Sequence, residues 1–268
     1  MDVCPQPDTK PFVTVEGLSK AFRSDYGESS GDVVLQDMRL SLNAGELCTV
    51  FGPNGCGKTT LLNLLAGLSK PDAGAIAIGG REPTPGLAAY MFQNFKDSLY
   101  PWRTVEGNLL FPLECKIRSK AEQINRLRDF LKVFALPIPL RARVYELSVG
   151  QQQMVALARA LITQPRFVLM DEPFSALDFH TRRCMQERLL SYWQDTGSTI
   201  LVVSHEIDEA IYLGQRLILF PPRPVTAVRE VRIQLPLPRS RDVLYTQEHF
   251  RIRSEALRFV EQDAERDE

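Results

Sequence analysis

At 268 residues, with 44% hydrophobic and 24% charged side chains, the chain has material for one large or two small domains with a sizeable core. A formal net charge of −1 gives no bulk basic footprint for nucleic acid, and no apolar run approaches the roughly 18 residues of a spanning helix. The opening MDVCPQPDTKP has neither a basic leader nor an apolar signal core, and the five cysteines are scattered, so a cytoplasmic chain with reduced thiols and no structural zinc is expected.

Residues 1–10 read as a frayed tail, followed by strands over 11–15 and 33–42 with a Gly, Ser and Asp-rich loop over 23–32 between them. The stretch ELCTVFGPNGCGKTTLLNLLAG then passes from an apolar β-branched run through a glycine loop into a helix-period segment that stops at Gly67. Short strands are predicted over 75–78 and 87–92, the latter ending at Gln93. From 94 to about 150 the pattern is helical, with a capping box at Ser119 and Glu122 ahead of Ile124, Leu127, Phe130, Leu131 and Phe134. A second helix opens near Leu147. Strands over 167–170, 199–204 and 217–220 then alternate with helices over 181–193 and 207–213, which implies a mostly parallel sheet covered by helices. Beyond Pro221-Pro222 come a strand over 225–233, a Pro-rich joint over 235–239, an amphipathic helix bearing Phe250, Leu257 and Val260, and a charged, solvated ending.

Three motifs carry chemistry. Gly52, Pro53, Asn54, Gly55, Cys56, Gly57, Lys58, Thr59 and Thr60 fit G-x-x-x-x-G-K-[ST] between a strand and a helix. Glycines without Cβ let the backbone take positive φ and aim N–H groups at an anion on the helix N-terminus. Lys58 adds charge for the β- and γ-phosphates, and the Thr59 hydroxyl suits Mg²⁺. Asp171 and Glu172, at the carboxyl end of a buried strand, pair a metal-holding carboxylate with a general base for the attacking water. In LSVGQQQ, Ser148 and Gln151 read either as a capping box that needs no ligand or, with the Gly150 amide, as a second phosphate-binding surface at the same helix start.

Phosphate loop, Gln93, a helical insertion, LSVGQQQ, FVLMDEP, Ser175-Ala176-Leu177-Asp178 and the strand-end His205 occur in the order of the ATP-binding subunits of ABC transporters, which residues 11–220 resemble. PWRTV, SHEIDEAI and the tail after PPRP look like the nitrate, sulfonate and taurine importer branch. The catalytic motifs by themselves are equally those of an exporter, a lipid-transport ATPase or a permease-free ABC ATPase. The resemblance implies a P-loop α/β cassette over 1–235, with an N-terminal antiparallel β-subdomain, a helical subdomain inserted over about 94–150, and a C-terminal helical extension over 236–268.

It further implies ATP and Mg²⁺, with the metal on Thr59, Gln93 and Asp171. Phe22 is expected to stack on adenine, with Tyr26 as the other candidate. Gln93 would sense Mg²⁺ and the attacking water, Glu172 would be the base, and His205 would contact the γ-phosphate. Ser148, Gly150 and Gln151 would reach ATP held by an opposite subunit, and Asp178 would couple the two sites. The implied partners are a second copy or sister ATPase, a transmembrane permease, reached through Phe95, Leu99, Tyr100 and Trp102, and through it a solute-binding protein. The place implied is the cytoplasmic face of the inner membrane. One departure stands out: Val149 occupies the first glycine of the usual LSGGQ, and a β-branched residue is strained if the position demands positive φ.

Overall fold

The computed structural model describes residues 11–22 and 32–264, and side chains to 261. Tyr26 and most of the 23–32 loop lie outside the described residues. In chain order, β1 (Val13–Phe22) pairs antiparallel with β2 (Asp32–Leu42). The expected first strand is thus seven residues longer at its end: bulges at Leu18 and Lys20, with Gly17 at φ 62°, break the alternation that a sequence reading follows. Next come β3 (Leu47–Phe51), α1 (Lys58–Leu65), β4 (Ala73–Ile78) and β5 (Ala89–Met91). A 3-10 turn over Phe95–Ser98 leads to α2 (Val105–Glu114), α3 (Lys120–Phe134) and α4 (Val149–Leu161). The remainder is β6 (Phe167–Asp171), α5 (Phe179–Thr196), β7 (Thr199–Val203), α6 (Ile207–Leu213), β8 (Arg216–Leu219), β9 (Arg229–Arg232) and α7 (Gln247–Ala264).

The strands form two sheets, an antiparallel β2-β1-β4 and a larger β5-β6-β7-β3-β8-β9 that is parallel except for β9. Alternate residues of the larger sheet supply two cores, because successive side chains point to opposite faces. Val168, Met170, Ile200, Val202, Leu217 and Leu219 pack with the helical segment, α5, α6 and α7. Phe167, Leu169, Leu201, Val203, Ile218 and Phe220 pack with α1 and the antiparallel sheet. Short runs buried on both faces are why these strands read as continuous apolar blocks.

The boundaries shift for local reasons. β5 is three residues, shorter than expected, and β9 covers only four residues of the predicted 225–233 segment. Ser119 caps α3 by accepting from the Glu122 N–H, without the reciprocal bond of a full capping box, and Ile124 faces solvent. On α7 the burial falls on Ile252 and Ala256, with Leu257 and Val260 alongside, while Phe250 is exposed.

Candidate functional site

Gln93 follows β5, Asp171 and Glu172 end β6, His205 follows β7, and the phosphate loop follows β3: the carboxyl ends of four neighbouring parallel strands. Ligands bind there in open α/β sheets. The strand ends converge on one cleft of about 480 Å³ lined by Asn54, Gly55, Gly57, Lys58, Thr59, Thr60, Gln93, Asp171, Glu172 and His205.

The three loop glycines have different physical reasons. Gly57 has φ 111° and Gly55 φ 77°, conformations that L side chains resist. Gly52 has an ordinary φ, which corrects the expectation of positive φ at all three; a Cβ there would stand 2.6 Å from the Phe220 carbonyl oxygen. Gly52, Pro53 and Cys56 support the loop from behind and do not line the cleft. Lys58, only 7% exposed, donates through Nζ to the carbonyl oxygens of Gly52 (2.8 Å) and Pro53 (2.7 Å). Burial pushes the neighbouring Cys56 thiol up, and Lys58 opposes that shift.

Thr59 Oγ1 donates to Asp171 Oδ2 at 2.7 Å, joining the start of α1 to the end of β6. Burial raises the Asp171 carboxyl above the usual range, the Thr59 hydrogen bond opposes this, and the Glu172 charge adds to it. A buried carboxylate beside a hydroxyl, with the Gln93 amide in the same cleft, is a hard-oxygen donor set of the kind Mg²⁺ takes alongside substrate phosphates. Glu172 has φ 51°, a strained conformation for a non-glycine residue, and its N–H donates to the Val203 carbonyl at 3.0 Å. Its Oε2 lies 3.2 Å from His205 Nδ1.

The helix start expected to be a second phosphate surface lies elsewhere. Ser148 caps α4 in a full capping box, with the Ser148 N–H donating to Gln151 Oε1 (2.9 Å) and the Gln151 N–H to Ser148 Oγ (3.2 Å). Asp178 caps α5 through Oδ1, accepting from the N–H groups of His180 and Thr181, both at 3.0 Å. Ser148, Gly150, Gln151 and Asp178 do not line the Lys58 cleft, and neither does Phe22, which is 48% exposed at the end of β1 with Lys20 Nζ 5.7 Å above its ring. Phe95 and Leu99, expected on a docking surface, are buried in the core; Trp102 is 68% exposed.

Val149 is the first residue of α4 and is absent from the positive-φ positions among the described residues. The position takes a side chain without strain. Val149→Gly is therefore expected to leave nucleotide turnover within about twofold and to cost about 0.5–1 kcal/mol of helix stability, read from steady-state kinetics and thermal melting. A large gain in rate would mean that the valine impairs the site.

Gln153 went unassigned from the sequence. Buried on α4, it donates through Nε2 to the Glu172 carbonyl (3.2 Å) and Ser175 Oγ (3.3 Å) and accepts from the Ala176 N–H (2.9 Å). It fixes the turn that carries Glu172. The legible signal is a polar residue at helical spacing with Leu157 and Leu161 on a buried face.

A phosphate loop, a carboxylate pair and a strand-end histidine on adjacent parallel strands, with the capped start of α4 outside their cleft, define a P-loop nucleotide hydrolase of the cassette type. The family model described as ABC transporter matches residues 35–175. The taurine import ATP-binding protein TauB of Pelagibacter ubique is 42% identical over 211 residues, 78% of each chain. The bicarbonate transport ATP-binding protein CmpD of Synechococcus elongatus is 34% identical over 262 residues, 95% of this chain and 92% of that one. A dimeric ATP-binding cassette in a post-hydrolysis state, bound to ADP and Pi, superposes with a TM-score of 0.72 at 29% identity, over 84% of this chain and all of that one. The chain belongs to the ABC transporter family and is one of its ATP-hydrolysing subunits.

Proposed function

We propose that this subunit powers import of a small solute of the nitrate, sulfonate and taurine class through a membrane permease, two ATPase subunits closing over two ATP molecules. The observation that carries the catalytic part is the single cleft in which Lys58, the Thr59–Asp171 pair and the Glu172–His205 pair face one another. Two curated relatives named for import or transport of small anionic or zwitterionic solutes support the importer branch.

In this reading the amides of 54–60 and Lys58 hold the phosphates, with Gly52, Pro53 and Cys56 shaping the loop, and Phe22 stacks on adenine. Thr59, Asp171 and Gln93 would hold Mg²⁺, which would supply neutralisation of the phosphate charge. Glu172 accepts the proton of the attacking water, and His205 contacts the γ-phosphate. The separation of Ser148, Gly150, Gln151 and Asp178 from the cleft of their own chain fits a role toward ATP held by a second copy or a sister subunit. ATP then binds both halves only in the closed pair, and that differential affinity is what shifts open to closed. Residues 1–235 form the cassette, with the helical insertion over about 94–150, and 236–268 form an extension.

Among the described residues no helix is long and apolar enough to cross a membrane. The proposed seat is the cytoplasmic face of the inner membrane, held by the permease, which a solute-binding protein feeds. The docking surface lies beside a groove of about 760 Å³ walled in part by Tyr90, Phe92 and Tyr100. Trp102, its ring 5.4 Å from that of Tyr100, continues the aromatic surface into solvent. The test is ATP-driven uptake of labelled taurine, nitrate and bicarbonate by the subunit reconstituted with its co-purifying permease. Trp102→Ala is expected to abolish uptake and leave basal ATPase intact. Uptake of none of the three solutes, or outward transport, would overturn the importer reading.

A further inference from the structure

We infer that the C-terminal extension is a positioning arm for His205, reaching it from Arg241 through Gln186, Glu209 and Ser204. The inference rests on the proposed role of His205 at the γ-phosphate. Arg241 stands just after the Pro-rich joint, 3.9 Å above the Tyr212 ring, and Nη2 donates to the Arg183 carbonyl and to Gln186 Oε1, both at 2.9 Å. Gln186 Nε2 donates to Glu209 Oε2 at 2.7 Å, and Ser204 Oγ donates to Glu209 Oε1 at 2.7 Å. Ser204 Oγ also accepts from the Glu206 N–H at 3.1 Å. The serine side chain therefore reaches across His205 to the backbone of Glu206.

Each link is oriented by chemistry. A guanidinium only donates, so Gln186 must turn its carbonyl oxygen to Arg241 and its NH₂ to Glu209. That in turn presents the carboxylate with two donors, one on each oxygen. Glu209 is buried, and burial raises its carboxyl while the Ser204 and Gln186 bonds oppose the shift. Losing the Gln186 donor leaves a buried acceptor short of a partner, so the Glu209 carboxylate turns to find one and takes the Ser204 hydroxyl with it. The extension also holds α6. Arg239 Nη1 donates to the carbonyls of Ile211 (3.0 Å) and Tyr212 (2.6 Å) at its end, and the Arg253 guanidinium lies 3.1 Å from Asp208 Oδ1 near its start. The short helix behind the histidine is held from the tail, and an arm that sets His205 should act on turnover through that one residue.

The experiment compares steady-state ATPase of the full chain as Arg241→Met, Gln186→Met, His205→Ala and each arm variant combined with His205→Ala. Cutting the arm is expected to lower kcat about tenfold while KM for ATP moves less than about twofold and melting stays near wild type. Either arm variant placed on His205→Ala should add no further loss, since the two act as one unit. Unchanged kcat in both folded arm variants, a loss that only tracks unfolding, or losses that multiply in the double variants would overturn the arm while leaving the role of His205 standing. Wild-type turnover in His205→Ala would instead remove the histidine's role and the arm with it.

Discussion

Glu172→Gln is expected to keep ATP affinity within about twofold of wild type while lowering turnover by about 10²–10⁴-fold, the usual worth of a positioned general base. The substitution keeps the side-chain length, so the positive φ of 51° is imposed on the same backbone and the hydrogen bond to Val203 survives. What changes is the acceptor: an amide has no basic oxygen for the proton of water. It also removes the negative charge that raises the Asp171 carboxyl, so the carboxylate proposed to hold the metal ionises at least as readily. With the γ-phosphate uncleaved, two subunits should stay closed, and ATP should shift the chain to a dimer in sedimentation experiments. Undiminished turnover would remove Glu172 from the role of base.

Gly57→Ala is the second large effect, and it acts before chemistry. Gly57 is the N-cap of α1 at φ 111°, and a Cβ there would stand 2.5 Å from Val34 Cγ1 on β2. The backbone conformation costs about 1–2 kcal/mol for an L-residue and the overpacking about 1–3 kcal/mol more. If the loop relieves this by turning its amides away from the cleft, ATP affinity should fall by about 10²-fold, because those N–H groups are the proposed anion site. Gly86→Ala is the internal control: it has φ 90° but open space around the added Cβ. It should lower melting modestly and leave ATP binding alone. Equal ATP affinity in Gly57→Ala and wild type, measured calorimetrically, would show that the loop geometry is not needed for phosphate.

The split between legible and illegible features follows the range of the forces behind them. The 52–60 loop, the capping box at Ser148 and Gln151, and the run into Asp171 and Glu172 are written within a few residues, because backbone φ, capping and strand burial are local. α6 was legible to the residue, since its apolar positions and Gly214 bound it on both sides. The length of β1 was not, because bulges reset the alternation and its partners β2 and β4 compensate. Phe95 and Leu99 read as a surface because the segment looks like a turn, whereas the fold tucks the turn into the core. Nor could Gly52 be told from Gly57, as the approach of Phe220 comes from just past the end of β8, 168 residues later.

What the amino-acid order determined alone is the chemistry: an anion-binding glycine loop, a carboxylate pair, a capped signature helix, and through them an ATPase of the ABC type. Only the tertiary structure decided which groups touch. It joined Thr59 to Asp171 and Glu172 to His205, gave Gln153 the turn that carries Glu172, and tied α6 to the C-terminal extension through Arg239 and the Arg241 guanidinium on the Tyr212 ring. The reason is physical: residue types and short spacings set what a group can do, but contacts between distant segments are fixed by sheet order and packing, which no single stretch of sequence encodes.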